Sequence, residues 1–255
     1  KSYTDYDKQW PGWTFISFMA WNSRQTWWDD VDIFTDYIAR VQGILQDGTA
    51  KIPVAILKDA ANSNLSASEL MSNEQDMVGK GYTYNILTKG MIESEYAATT
   101  TNEDGKTVLS SEAEYQVLIL DNISKMSVEA MQKIVDFAKA GLTIVDNNGN
   151  INAVYGTSYN GEDETIQSLY AELQQQPSYV KVSSDDEALA YIEKNIDSGV
   201  SYDAKWLEST RFDDVDGSKY YLMYNESDES ASSEHGGGPG EEAGDISTMV
   251  TLKGN

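Results

Sequence analysis

YQVLILDN, residues 115–122, is a continuous apolar run that ends in two polar residues. A second segment of this kind, LTIVDN, covers residues 142–147. Between them Ser127 can cap a helix with an apolar face, and Gly141 can end it. A strand, a helix, a glycine and a strand at this spacing predict a parallel βαβ unit, whose two strands end at the same edge of a sheet.

The chain on either side of this unit continues the alternation of helices and strands. Predicted helices cover approximately residues 29–47, 66–79, 164–175 and 184–196, and predicted strands cover residues 52–57, 82–87 and 180–182. Two of the helices begin with capping-box spacing, at Ser66 and at Ser184. This order predicts an α/β fold with an open, mainly parallel sheet and helices on both faces.

The pattern changes after about residue 200. The pattern predicts two antiparallel strands around a turn, at residues 205–212 and 219–225, and a third strand at residues 246–253. Residues 226–245 are rich in Ser, Glu and Gly and predict a flexible loop. We therefore expect three parts: an aromatic arm (1–28), an α/β domain (29–200) and a small antiparallel β appendage (201–255).

Composition excludes several classes of function. The chain has 42 acidic against 18 basic residues, a formal charge of -24, which argues against nucleic acid or a membrane surface as partner. It has no cysteine, which excludes disulfides and thiolate chemistry. The one histidine, His235, lies in the predicted flexible loop, an unsuitable place for a catalytic triad. We expect no cofactor and no metal, and the composition suits an exported bacterial protein.

The N-terminal region concentrates large aromatic rings. Five of the six Trp residues fall within residues 10–28, and the segment WNSRQTWW covers residues 21–28. Flat apolar rings interleaved with polar side chains are what a sugar-binding surface requires. The alternative is that the rings anchor an N-terminal arm by packing, the more common use of buried aromatic side chains.

Polar residues follow the two strands of the central βαβ unit. Asp121 and Asn122 come after the first strand, and Asp146 and Asn147 come after the second. Ligands of open parallel sheets bind beyond the carboxyl ends of the strands, so these four residues form a candidate site. The alternative is that Asp and Asn only cap turns and helices there. Residues 146–150 also resemble the start of a calcium loop but lack its later glutamate.

A family resemblance follows from four motifs, NSRQTWW (22–28), FTDYIAR (34–40), LQDG (45–48) and VAIL (54–57). Together they resemble the large α-L-rhamnosidase-type glycoside hydrolases of family 106 and their relatives. In that family such a segment leaves a catalytic (β/α)8 barrel and enters a domain with the flavodoxin-like fold of class I glutamine amidotransferases. YYLMYN, residues 220–225, resembles the strand that opens the next β-domain in such proteins.

The resemblance carries implications for function. The family's catalytic acid and base lie on the upstream barrel, so none is assigned here, and an amidotransferase would need a cysteine nucleophile that this chain lacks. It also implies that residues at the barrel exit face the sugar pocket. These candidate substrate-binding residues are Asn22, Arg24, Thr26, Trp27 and Trp28.

The sequence supports two main hypotheses of function. The first is a non-catalytic accessory domain of a secreted bacterial glycoside hydrolase, with the upstream barrel and carbohydrate as partners. The second is a stand-alone carbohydrate-binding or surface interaction module that uses the Trp cluster. The least favoured hypothesis is a complete enzyme with its site at the strand ends around Asp121 and Asp146.

Overall fold

The structure is a computed structural model that describes residues 26–58, 74–111, 113–204, 206–214, 216–225 and 246–252. The chain divides into two compact units, Lys1–Gly48 and Thr49–Asn255. Several predictions fall outside the described residues. These are the start of the helix predicted from Ser66, the predicted flexible loop at 226–245, and the candidate residues Asn22 and Arg24.

The described part of the first unit is helical. A 3-10 turn, Trp28–Asp30, leads into α1, Val31–Gln46, which confirms the helix predicted from the spacing of its apolar residues. No residue of α1 is buried. On the predicted apolar stripe, Phe34, Tyr37, Ile44 and Leu45 are exposed, and Ile38 and Val41 are half-buried.

The second unit contains the remaining elements. Its helices are α2 Glu74–Val78, α3 Lys89–Glu93, α4 Val128–Lys139, α5 Glu162–Leu173 and α6 Asp185–Asn195. Its strands are β1 Thr49–Lys51, β2 Val54–Lys58, β3 Tyr84–Leu87, β4 Ala98–Thr101, β5 Thr107–Ser110, β6 Glu114–Tyr115, β7 Val117–Asp121, β8 Thr143–Asn147, β9 Tyr179–Val182, β10 Val200–Ser201, β11 Leu207–Asp213, β12 Lys219–Asn225 and β13 Thr251–Leu252.

A parallel sheet of five strands forms the centre of this unit, in the order β3-β2-β7-β8-β9. Counted along the chain, this is the order 2-1-3-4-5 of flavodoxin-like folds. The α/β fold predicted from the sequence is confirmed. In the sheet, β3 lies on one side of β2 and β7 lies on the other. The direction in which successive strands are added therefore reverses between β2 and β7.

Helices cover both faces of the central sheet, as predicted. On one face α4 and α5 pack against Leu118 and Ile144, and on the other α6 packs against Ile119 and Val145. Neighbouring residues of one strand thus enter different cores, because side chains alternate between the faces of a sheet. All five residues of β7 are buried, which explains why the sequence of this strand is a continuous apolar run.

The short antiparallel sheets differ in part from the prediction. β11 and β12 pair as predicted, but the third C-terminal strand, β13, pairs with β10 rather than with them. Instead β1 pairs with β11 as the third strand of that sheet. Pro53 separates β1 from β2, so the strand predicted over residues 52–57 begins only at Val54. The carbonyl of Pro53 accepts from the Gln116 N–H at 2.8 Å, which joins this break to the start of β7.

The predicted cap of α4 is confirmed and gives a first testable prediction. The Ser127 hydroxyl oxygen accepts from the Ala130 N–H at 3.3 Å, and the hydroxyl also donates to the Glu93 carboxylate. We expect Ser127→Ala to lower the free energy of unfolding by about 1 kcal/mol, measured by urea denaturation. Ser168→Ala is the control, because this exposed hydroxyl on α5 donates to the Glu164 carbonyl of its own helix. Equal effects of both substitutions would contradict a capping role for Ser127.

Candidate functional site

The candidate site lies at the carboxyl ends of the central strands. Lys58 ends β2, Asp121 ends β7 and Asn147 ends β8, and these three residues stand side by side in register. β2 and β7 flank the point where the strand order reverses, which is where open α/β sheets bind ligands. The structure thus brings the predicted residues Asp121, Asn122, Asp146 and Asn147 to one edge.

Alternation along the strands separates these residues into two groups. Asn147 bonds to Asp185 at the start of α6, whereas Asp146 bonds to Tyr170 of α5. The two neighbours in β8 therefore serve opposite faces of the sheet, because successive side chains of a strand point in opposite directions. What the sequence predicted as one site is two polar networks.

The first network is the switch-point cluster, made of Lys58, Asp121, Asn147 and Asp185. Nδ2 of Asn147 donates to Asp121 Oδ1 at 3.1 Å and to Asp185 Oδ1 at 2.6 Å. Nζ of Lys58 lies 3.5 Å from Asp121 Oδ2. The Asn147 amide therefore bridges the two carboxylates where the strand order reverses, and the Lys58 ammonium pairs with one of them, Asp121.

Burial is the largest influence on the pKa of the Asp121 carboxyl. It raises the pKa of the Asp121 carboxyl above its usual value, while Lys58 and the Asn147 amide act in the opposite direction. The buried Oδ1 of Asn147 has no hydrogen-bond partner among the described residues. Among the described residues, this fully buried oxygen is therefore an unused acceptor.

The second network surrounds the fully buried carboxylate of Asp146. Its Oδ1 accepts from the Gly149 N–H at 3.0 Å, and its Oδ2 accepts from Tyr170 at 2.6 Å and from Tyr179 at 2.7 Å. Nζ of Lys181 lies 3.1 Å from Oδ2 and also donates to the Gly149 carbonyl. Four partners from three segments thus satisfy a charge that would be costly to bury alone.

The tyrosines of this network act as donors. Burial, and after it the hydrogen bond to Asp146, raises the pKa of the Tyr179 hydroxyl far above its usual value. The Tyr179 hydroxyl therefore stays protonated and donates to the carboxylate. Asp146 is sealed from solvent and ties β8 to α5 and β9, which is a structural role.

Two asparagines make the turns after the strands. Asn122 follows β7 with φ 51°, and Asn148 follows β8 with φ 54°, both in the left-handed region that asparagine tolerates better than most residues. Nδ2 of Asn148 donates to Asn122 Oδ1 at 3.0 Å. This geometry favours the turn-forming interpretation of Asn122 over direct ligand binding.

The described part of the aromatic segment begins at Thr26, which is exposed. Trp27 and Trp28 are half-buried, and their ring centroids lie 6.0 Å apart with the planes tilted by 46°. Two rings at this angle do not share one flat surface for stacking a sugar. Asn22 and Arg24 lie outside the described residues, so the assignment of the full set to a sugar pocket stays a prediction.

Sequence reasoning missed four partners of the strand-end residues, namely Lys58, Tyr170, Tyr179 and Lys181. Lys58 follows the apolar residues of β2 directly, and Lys181 is the charged residue in the short strand β9. A charge at the end of a buried strand such as β2 signals a partner, because unpaired charges are rarely buried, whereas the exposed Lys181 gives no such signal. Nothing in the local pattern marked the two tyrosines.

The described residues contain neither a metal-ligand cluster nor a membrane-spanning helix. Among them, no group of three or more His, Cys, Asp or Glu side chains is arranged to hold a metal ion. None of the described helices has the length and apolar character needed to cross a membrane.

Comparison with known proteins places the chain in a family. The model of the alpha-L-rhamnosidase family, glycoside hydrolase family 106, matches residues 3–233. The chain belongs to this family. The resemblance to family 106 is thereby confirmed, whereas the likeness to glutamine amidotransferases stays a prediction.

Individual similarities are more distant. A Formosa agariphila protein named "Putative beta-glucuronidase" is 26% identical over 124 residues, which cover 49% of this chain and 10% of that protein. The apo exo-carrageenase of family GH42 from Bacteroides ovatus is 12% identical with a TM-score of 0.36, over 77% of this chain and 30% of that chain. The chain thus spans about a tenth of the length of the curated relative it matches.

Proposed function

We propose that this member of glycoside hydrolase family 106 is a non-catalytic accessory domain of a secreted bacterial glycoside hydrolase. It supports the catalytic domain of the same polypeptide and contributes to the edge of its sugar pocket. The family match supports a carbohydrate-active protein. The short span of the chain, a tenth of its curated relative, supports a role as one part of a larger enzyme.

The exposed apolar face of α1 is the observation that carries this proposal. Five large apolar side chains of the helix are between 40% and 69% exposed, namely Ile33, Phe34, Tyr37, Ile44 and Leu45. An exposed apolar stripe of this kind is typical of an interaction surface. We infer that the catalytic domain covers it, because burying each side chain gains about 1.5–3 kcal/mol.

The strand-end carboxylates support the non-catalytic part of the proposal. Glycoside hydrolysis uses two carboxyl groups that both reach the substrate. Asp146 has no exposed surface and is occupied by Gly149, two tyrosines and Lys181. Asp121 is buried and lies beside Lys58. Both carboxylates stabilise the fold, and neither is placed to act on a substrate.

The second hypothesis, a stand-alone module that binds sugar through the Trp cluster, receives less support. Stacking on a sugar ring requires an accessible flat face. Trp27 and Trp28 are half-buried, with ring planes tilted by 46°. This arrangement favours packing as the main role of the pair.

Substitutions on α1 test the accessory role in the parent enzyme. We expect Ile33→Glu with Tyr37→Glu to shorten the half-life of its glycosidase activity at elevated temperature at least about tenfold, because two charges would enter an apolar contact. Ala39→Glu is the matched control, since this exposed residue lies on the opposite side of the same helix. Equal half-lives for all three enzymes would contradict docking through α1.

The isolated chain provides the second arm of the same test. We expect it to release no p-nitrophenol from the α-L-rhamnoside or the β-D-glucuronide of p-nitrophenol under conditions in which the parent enzyme does so. Hydrolysis by the isolated chain at a rate comparable to that of the parent enzyme would overturn the non-catalytic role, whatever the α1 variants show.

A further inference from the structure

A cleft at the carboxyl-terminal end of α6 is separate from both strand-end networks. It has a volume of about 370 Å³ and is lined by residues 193–198, by Val200 and Ser201 of β10, by Thr251 of β13, and by Tyr82. Cavities of about 300–1,000 Å³ are the usual size of small-molecule sites. The cleft is therefore large enough for a sugar unit.

The wall of the cleft combines apolar surface with hydroxyl groups. Tyr82, Ile196 and Val200 are each less than 10% exposed and form its apolar side. Ser201 and Thr251 stand opposite each other in the β10–β13 pair, and both are exposed. An apolar wall beside a few hydroxyl groups matches a sugar, which carries C–H faces and hydroxyls on one ring.

The charge around the cleft favours a neutral ligand. The last carbonyls of α6 carry the negative end of the helix dipole, and Glu193 and Asp197 add negative charge against Lys194. Glu193 also pairs with Lys80 at 3.2 Å. Carbonyls and carboxylates accept hydrogen bonds from hydroxyl groups and repel anions, so a neutral polyol fits better than a sugar acid.

Tyr82 keeps this end of the helix in place. Its hydroxyl donates to the carbonyl of Ile196 at 3.3 Å and lies 3.4 Å from the carbonyl of Glu193. Burial, with the nearby Glu193 and Asp197, raises the pKa of the Tyr82 hydroxyl, so it remains a donor. The cleft is thus built on a fixed wall, which lowers the cost of ordering it around a ligand.

We propose that the α6 cleft binds a neutral carbohydrate unit, so that this domain holds glycan at a site of its own. The proposal goes beyond the accessory role. It rests on family membership and on the geometry of the cleft, and it does not depend on how α1 is covered.

The test is an NMR titration of the ¹⁵N-labelled chain with methyl α-L-rhamnoside. We expect saturable shifts of the amides of residues 195–201 and 251, with a dissociation constant on the order of 1 mM, as is usual for a ligand of this size. Absence of saturable shifts up to about 20 mM, or shifts confined to other parts of the chain, would overturn the proposal.

Blocking variants and a charged probe complete the design. We expect Ser201→Trp and, independently, Thr251→Trp to weaken binding at least about tenfold by filling the cleft, while Thr100→Trp on β4, an exposed site elsewhere, leaves binding unchanged. Amide signals outside the cleft report whether each variant is folded. Unchanged binding in both blocking variants, or equally tight binding of methyl β-D-glucuronide, would refute a neutral-sugar site here.

Discussion

Replacing Asp146 by leucine is expected to lower the free energy of unfolding by about 2–5 kcal/mol, because at least two buried donors lose their acceptor at about 1–3 kcal/mol each. Leucine removes the acceptor but leaves the Lys181 ammonium, the Tyr170 and Tyr179 hydroxyls and the Gly149 N–H in place. The Gly149 N–H and the Tyr170 hydroxyl are buried and lose their acceptor, whereas the Lys181 side chain is 41% exposed and can turn to solvent. A loss of this size is a large part of the 5–15 kcal/mol that stabilises a typical domain.

Urea denaturation of the chain measures this effect, with Asp186→Asn as the control. Asp186 is an exposed carboxylate in the first turn of α6, and its substitution is expected to change stability by less than about 0.5 kcal/mol. Asp146→Asn should fall between the two, because it keeps one acceptor oxygen but turns an amide donor toward other donors. If Asp146→Leu is as mild as the control, the four contacts do not stabilise the fold.

The sequence predicted the central sheet because that part of the fold depends on local patterns. β7 and β8 are apolar runs bounded by polar residues, and a helix between them with a serine cap and a final glycine admits only a parallel crossover. The same reasoning placed Asp121 and Asp146 at one edge. They were predicted to form one site, because the alternation of side chains along each strand was not used to assign its last residues to opposite faces of the sheet.

Other parts of the structure left little trace in the sequence. β1, β10 and β13 are two or three residues long, too short to show the alternation that identifies a strand, and their pairing is decided by distant residues. The partners of Asp146 were equally hidden, since Tyr170 and Lys181 meet it only after the sheet and α5 have packed. The apolar stripe of α1 predicted a helix but not what covers it.

Adding one methyl group at Gly149 is expected to destabilise the chain by about 2–3 kcal/mol, near the upper range for overpacking a closed interior. A Cβ atom there would lie 2.4 Å from Asp146 Oδ1 and 3.0 Å from the Ile123 carbonyl oxygen. The cost is steric, because Gly149 is not among the residues with positive φ. The Asp146 carboxylate cannot move aside, since its other oxygen is held by two tyrosines and Lys181.

A double-mutant cycle identifies the atom responsible. In an Asp146→Ala background the contacted oxygen is gone, so Gly149→Ala should cost less than about 1 kcal/mol, and the coupling between the two sites should be about 1–3 kcal/mol. Gly90→Ala in α3 is the control, because a Cβ there meets only Thr88 Oγ1 at 4.0 Å and alanine favours a helix. If Gly149→Ala is equally costly in both backgrounds, the clash lies with the Ile123 carbonyl, and Asp146 does not fix glycine at position 149.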